Sequence, residues 1–223
     1  MITSHTESEG AVREGCRTKT VTVIDYGMGN IGSILNMLKK IGAVAVSSDD
    51  PGDIGRAERL ILPGVGSFDS GMEELAKRGL IEALNKAVLL RRVPFLGICL
   101  GMQLLSRSSE EGKLPGLGWI DSDTVRLPSE TQQGRLRIPH MGWNSVTLQQ
   151  EDRLFEDLPE ARFYFVHSYH VVCHKPEDVV ATTSYGAPFV SVLRNGNIAG
   201  TQFHPEKSHR YGMTLLRNFV GRY

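Results

Sequence analysis

The chain lacks net charge: Lys+Arg and Asp+Glu each number 25 among its 223 residues. That balance excludes the basic face of a nucleic-acid binder and the polybasic patch of a membrane-surface protein. The chain also lacks any apolar run near the roughly 20 residues that span a bilayer. Met1 to Lys19 has no apolar stretch of the kind a secretory signal carries. Cysteine is scarce. Cys16, Cys99 and Cys173 are three and far apart, which builds no disulfide framework and fits a reducing cytoplasm. No His/Cys cluster has metal-ligand spacing. Neither a metal nor a cofactor is expected, and nucleic acid and membrane are excluded as partners.

What is present is a globular composition, with 40% hydrophobic and 22% charged residues. Residues 1 to 19 are polar and aperiodic and read as a disordered tail. Residues 20–223 read as one domain. Strand-like runs Val21–Asp25, Val44–Val46, Arg59–Leu62 and Phe95–Ile98 alternate with helical patterns. One helix is N-capped by Asn30 and carries Ile34, Leu35, Met37, Leu38 and Ile41. A second runs from about Gly71 to Leu90, broken at Gly79, and a third spans Leu100–Leu105. From Gly118 to Gln202 short β runs dominate: Val125–Leu127, Phe163–Val166, Val179–Thr183, Phe189–Leu193 and Ile198–Gln202. An amphipathic helix near Tyr211–Val220 closes the chain. This predicts an α/β fold: a mainly parallel central sheet, helices on both faces, and an antiparallel β extension.

The strongest chemical signal is Gly97-Ile98-Cys99-Leu100-Gly101, between a predicted strand and a predicted helix. It has the form of a nucleophile elbow with Cys as the nucleophile. Glycines at −2 and +2 remove side chains that would clash in so sharp a turn. The helix start favours a thiolate, and the Leu100 amide is placed to receive an oxyanion. Alone, the same string also suits a buried structural cysteine. A nucleophilic cysteine needs a base, and the base an orienting group. His204-Pro205-Glu206 follows the strand Ile198–Gln202, at the edge where parallel sheets gather their sites. Glu206 can fix the His204 tautomer. His167 and His170, at strand spacing, read instead as core or interface histidines. After the strand Arg59–Leu62, Pro63-Gly64-Val65-Gly66 can turn Gly64 or Val65 amides towards the same edge.

A competing pattern is Gly27-Met28-Gly29-Asn30-Ile31-Gly32, which satisfies G-x-G-x-x-G, with Asp49 and Asp50 about 20 residues on. Its reading would be an NAD-binding oxidoreductase. Asp25 and Tyr26 interrupt the apolar strand before the first glycine, and that reading leaves the elbow and H-P-E without a role.

Together, L-P-G-V-G-S-F, G-I-C-L-G-M-Q-L-L and F-H-P-E-K resemble the class I (triad) glutamine amidotransferases. D-Y-G-M-G-N at Asp25–Asn30, P-H-M-G-W-N at Pro139–Asn144 and Y-F-V-H-S-Y at Tyr164–Tyr169 are most similar to glutaminase subunits of imidazole glycerol phosphate synthase. The resemblance runs from about Val21 to the C-terminus. It implies that Cys99 forms a thioester with glutamine, His204 relays protons and Glu206 holds it. It implies an oxyanion hole of Val65 and Leu100 amides, completed by an activating backbone flip. It further implies glutamine binding by Gly64, Gly66, Gln103, Ser168 and Tyr169. Its implied partner is a (β/α)8-barrel cyclase, faced by Asn30, Met141, Trp143 and Lys207. Ser208-His209-Arg210-Tyr211-Gly212-Met213 departs from the short small-residue stretch of the histidine-pathway members. With H-S-Y-H it resembles a paralogous branch that feeds ammonia to a sugar amidotransferase for surface polysaccharide.

Overall fold

A computed structural model describes residues 20–131, 134–158 and 160–223. The expected tail and Cys16 lie outside these residues. Five parallel strands build the sheet's first half: β1 (Val21–Ile24), β2 (Ala45–Ser48), β3 (Arg59–Gly64), β4 (Phe95–Cys99) and a later strand, Ile198–Thr201. Their spatial order is β2, β1, β3, β4, then Ile198–Thr201. β1, β3, β4 and Ile198–Thr201 are buried along their whole length. That explains their continuous apolar runs, since helices cover both faces.

The antiparallel half grows from the same edge. In chain order the strands are β5 (Ser122–Arg126), β6 (His140–Ser145), β7 (Arg162–His167), β8 (Tyr169–Cys173), β9 (Val179–Tyr185), β10 (Ala187–Asn195) and β11 (Ile198–Thr201). β11 pairs with β10, β10 with β8 and β9, and β8 with β5, all antiparallel. β6 and β7 form a separate antiparallel pair, with His140 opposite His167. The expected α/β sheet with an antiparallel extension is what forms.

Two apolar layers sandwich the sheet. On one face α1 (Ile31–Lys40) buries Ile34 and Leu38, and α6 (His209–Arg222) buries Leu215, Leu216 and Phe219. On the other lie α2 (Pro51–Arg56), α3 (Phe68–Lys77), α4 (Leu80–Asn85) and α5 (Leu100–Gln103). Asn30 caps α1 as expected, accepting from the Ser33 amide at 3.2 Å. The predicted long helix breaks at Gly79, which is left-handed with φ 67°. It begins three residues early because Ser67 caps it on the Ser70 amide. α2 was not anticipated: Gly52 and Gly55 make its sequence read as a turn, yet Asp50 caps it and Pro51 opens it. The helix expected over Leu100–Leu105 is a single turn ending at Gln103. Its dipole is correspondingly small, so little thiolate stabilisation comes from it.

The departing segment after Pro205 has a packing reason. A Cβ on Gly212 would overlap the Pro205 carbonyl oxygen, whereas one on Gly221 would meet nothing within 4 Å. Gly212→Ala is expected to cost about 1–3 kcal/mol by overpacking. Gly221→Ala, in the same helix, is expected to be neutral or to stabilise by up to about 1 kcal/mol. Urea midpoints of the two variants check this; equal effects would contradict the packing argument.

Candidate active site

Four chain segments end at the carboxyl edge of the parallel strands. β4 ends in Cys99, and the sheet register sets Gly64 of β3 directly beside it. β11 is followed by His204, whose amide donates to the Tyr164 carbonyl of β7 at 2.9 Å. β1 is followed by the Gly27–Asn30 loop.

Cys99 sits at φ 54°, ψ −108°, a conformation that L-residues rarely adopt. Its flanking glycines are required by close approach. A Cβ on Gly97 would press on the Gly101 carbonyl at 2.5 Å, and one on Gly101 would overlap the Leu62 carbonyl. Leu100 opens the α5 turn, so its N–H has no partner within the helix.

The His204 Nδ1 and Glu206 Oε1 are 2.7 Å apart, and both side chains are 2% exposed. Nε2 of His204 is buried without a partner of good hydrogen-bond geometry. The group acting on it is the Cys99 sulfur. Burial pushes His204 down. The proximity of Cys99, then the hydrogen bond and charge of Glu206, outweigh burial and lift the imidazole to about 10.

A cavity of about 250 Å³ opens on this pair. Its wall includes Val65, Gly66, Cys99, Leu100, Gln103, Ser168, Tyr169 and His204, so the elbow, the glycine loop and H-P-E meet as the sequence predicts. Gly64 is packed behind the wall: a Cβ there would press on the Tyr26 hydroxyl at 2.5 Å and on Leu100 at 2.7 Å. Gln103 does line the cavity, but its amide is already engaged, donating to the Tyr169 carbonyl at 2.9 Å and to Gln202 Oε1 at 3.2 Å. Sequence reasoning missed Glu111, which also lines the cavity and accepts from the Phe68 amide at 2.9 Å. The available signal was the acidic pair Glu110-Glu111 in the loop after the elbow. It missed as well that His167, though buried as expected, reaches the same wall.

The outward residues gather around β6 and the turn after β11. Met141 is 62% and Trp143 41% exposed. Trp143 stacks on His209 with ring centroids 5.6 Å apart and planes 4° apart. Lys207 lies over the Tyr164 ring at 5.8 Å. Asn30 starts the helix whose Ser33 and Asn36 line a shallow pocket with Lys207 and His209.

The dinucleotide pattern is used otherwise. Gly29 backs the glycine loop, where a Cβ would touch Pro63 at 3.2 Å, and Gly32 faces open space rather than a strand. Asp49 pairs with Arg78 at 2.9 Å, and Asp50 caps α2. Among the described residues no group of three or more His, Cys, Asp or Glu is arranged to hold a metal, and no helix is long and apolar enough to cross a membrane. A larger concavity of about 740 Å³, lined by Asp152, Arg194 and Asn197 among others, lies at the opposite edge of the strands and has no cysteine or histidine in its wall.

The model of the family described as glutamine amidotransferase class-I matches residues 22–222. The chain belongs to that family. It is 52% identical over 201 residues to imidazole glycerol phosphate synthase subunit HisH 2 of Pseudomonas aeruginosa, covering 90% of this chain and 98% of that one. Identity to the HisH 2 subunit of Methanococcus maripaludis is also 52% with the same coverage. To the HisH subunit of Leptospira interrogans it is 40%, again over 90% and 98%. A solved glutamine amidotransferase superposes with a TM-score of 0.68 at 20% identity, covering 90% of this chain and 96% of that one. Another, from Thermotoga maritima, gives 0.65 at 17% identity, over 92% and 97%.

Other histidines of this amidotransferase carry the opposite electrostatics. Burial holds His140 down to about 4, His167 to about 3, and His170 below the usual range. A depressed histidine supports the fold fully above its unfolded value of about 6.5 and loses that support as pH falls towards its folded value. His204, being raised, contributes fully below 6.5 and loses its contribution as pH rises through about 10. Stability is therefore expected to fall between pH 6.5 and 4.5, by up to about 1.4 kcal/mol per pH unit for each histidine. Denaturant midpoints across that window check it. His140→Phe should make the slope shallower, and a flat wild-type profile would contradict the burial argument.

Proposed function

We propose that this chain is the glutaminase subunit of an imidazole glycerol phosphate synthase, hydrolysing L-glutamine to glutamate and ammonia and passing the ammonia to a cyclase. The observation that carries the reading is the buried His204–Glu206 pair held against Cys99 at the mouth of one small cavity. The names of the HisH relatives, matched over nearly their whole length, support the synthase assignment.

The Cys99 sulfur attacks the side-chain amide carbon of glutamine, forming a C–S bond. His204 takes the thiol proton and returns it to the leaving nitrogen, which departs as ammonia. Glu206 fixes the tautomer and supports the imidazolium. The Leu100 and Val65 amides bind the oxyanion. Water, deprotonated by His204, then attacks the thioester carbon; the C–S bond breaks, glutamate leaves, and His204 returns the proton to the Cys99 sulfur. Gly66, Gln103, Ser168 and Tyr169 hold the substrate. Glu111 brings a carboxylate to the cavity and suits the α-ammonium of the amino acid. Gly64 serves by allowing Tyr26 and Leu100 to pack closely behind the loop.

The face of Met141, Trp143, Lys207 and Asn30 receives the partner, a (β/α)8-barrel cyclase in the reducing cytoplasm. A second reading rests on the His209 stack against Trp143. It puts a side chain of the departing segment in the middle of that face, where it would meet a different partner, a sugar amidotransferase. Affinity capture from cell extract separates the two: a cyclase barrel supports the first, a sugar amidotransferase the second.

Cys99→Ala is expected to lower glutamine-dependent synthesis by the complex at least about 10⁴-fold while ammonia-dependent synthesis persists. Parallel loss of both routes would make Cys99 structural. A glutamine-like diazo-ketone should label Cys99 and spare Cys173, which is half-buried and pushed by that burial up to about 12. Label found on Cys173 by mass spectrometry would count against the assignment.

A further inference from the structure

Gln202 lies two residues before His204 and is fully buried. Its Nε2 is 3.7 Å from the Cys99 sulfur. Its Oε1 faces Gln103 Nε2 at 3.2 Å. An amide has one donor end and one acceptor end, so its neighbours decide which end meets the sulfur.

Those neighbours fix the answer. Gln103 Nε2 is also 2.9 Å from the Tyr169 carbonyl, which only accepts. Gln103 therefore presents N–H to Gln202, Gln202 answers with oxygen, and its N–H end is left to the sulfur. The Tyr169 carbonyl is held in turn by His167 Nδ1 at 2.8 Å, so that nitrogen carries the hydrogen. Burial keeps His167 uncharged, so its Nε2 accepts. His140 Nδ1, 3.0 Å away, is the donor to it. His140 Nε2 then accepts from Asn144 Nδ2 at 3.3 Å, and Asn144 also donates to the Ser184 carbonyl at 3.0 Å. The two sets of contacts meet at the Tyr169 carbonyl, which accepts from both Gln103 and His167, so Gln103 alone sets the direction of the Gln202 amide, while His167, His140 and Asn144 hold the carbonyl in place.

We propose that Gln202 is a further catalytic residue, donating its amide N–H to the Cys99 sulfur and so favouring the thiolate, and that Gln103 is the positioning residue that holds its amide in that orientation. The proposal rests on Cys99 being the nucleophile of the proposed glutaminase reaction. An N–H aimed at a sulfur stabilises the anion more than the thiol, because hydrogen bonds to charged groups are the stronger kind. The one-turn α5 supplies little of this stabilisation, so a side-chain donor adds to what the raised His204 provides.

The ionisable groups around the sulfur are His204 and Glu206 after β11, Tyr26 after β1, His167 at the end of β7 and Glu111 in the loop after α5. Gln202→Met changes none of them, keeps the side-chain length and removes the donor. The test is the pH dependence of iodoacetamide alkylation at Cys99 in the full chain, read by mass spectrometry with Cys173 as internal reference. In Gln202→Met the midpoint should rise by about one pH unit, with the rate near neutral pH down about tenfold. Gln103→Met removes the group that orients the Gln202 amide and should raise the midpoint less, in the same direction. Should Gln202→Met not fold, Gln202→Glu, which turns an oxygen to the sulfur, should raise the midpoint as well. An unchanged midpoint in a folded Gln202 variant overturns the donor role, since a packing role alone would alter stability and leave the midpoint in place. Alkylation needs no glutamine, so that result would leave the glutaminase reading standing. Glutamine turnover that survives Cys99→Ala would instead overturn that reading.

Discussion

The molecule depends on one close approach: the backbone at Gly101 lying against the Leu62 carbonyl, with Gly97 against the carbonyl of Gly101. No side chain fits between them. The chain leaving β4 can therefore turn back at once, and Cys99 is left at φ 54° on the rim of the sheet. A strained residue of this kind costs on the order of 1–3 kcal/mol. Leu100, Met102 and Leu104, all buried just beyond the turn, each contribute about 1.5–3 kcal/mol by burial, which is enough to hold it. The register that sets Gly64 beside Cys99 then brings the glycine loop to the same rim. Strand pairing and three glycines together assemble half of the site before any polar group is considered.

Electrostatics supplies the other half, and the histidines show how. His140, His167 and His204 are all nearly inaccessible. Depth alone would discharge each of them. Two are discharged, and one is lifted to about 10. The difference is the neighbour. His204 has the Glu206 carboxylate at 2.7 Å and the Cys99 sulfur on its other side, whereas His140 and His167 have each other, Asn144 and a carbonyl. The same residue type at the same depth is thus held charged in one place and neutral in another.

This contrast also explains what could be read from the sequence. The elbow, the H-P-E turn and the glycine loop were legible because each is a local demand: glycine where a Cβ cannot fit, and proline and a carboxylate at fixed offsets from a histidine. The parallel strands were legible because burial on both faces makes them uniformly apolar. The length of α5 was not. Leu104 and Leu105 continue the apolar pattern, but Leu105 and Ser106 fold into a turn. α2 was hidden by two glycines that propensity counts against a helix. The contacts of Glu111 and Gln202 were invisible for a different reason. Their partners, Phe68 and Cys99, are 43 and 103 residues away in the chain, and no spacing rule connects them.

The outward face of β6 follows from strand periodicity. Successive residues of a strand point to opposite sides. In β6, His140 is buried and Asn144 half-buried, while Met141 and Trp143 are exposed. The turn after β11 repeats the division in two neighbours: Glu206 turns in to His204, and Lys207 turns out over Tyr164. Each outward side chain is therefore one residue from an inward one, on a backbone that both share. Substitution of Met141, Trp143 or Lys207 can change what docks on this face without removing any polar group behind it. A displacement of the β6 backbone, by contrast, would have to move His140 and Asn144 together with Met141 and Trp143.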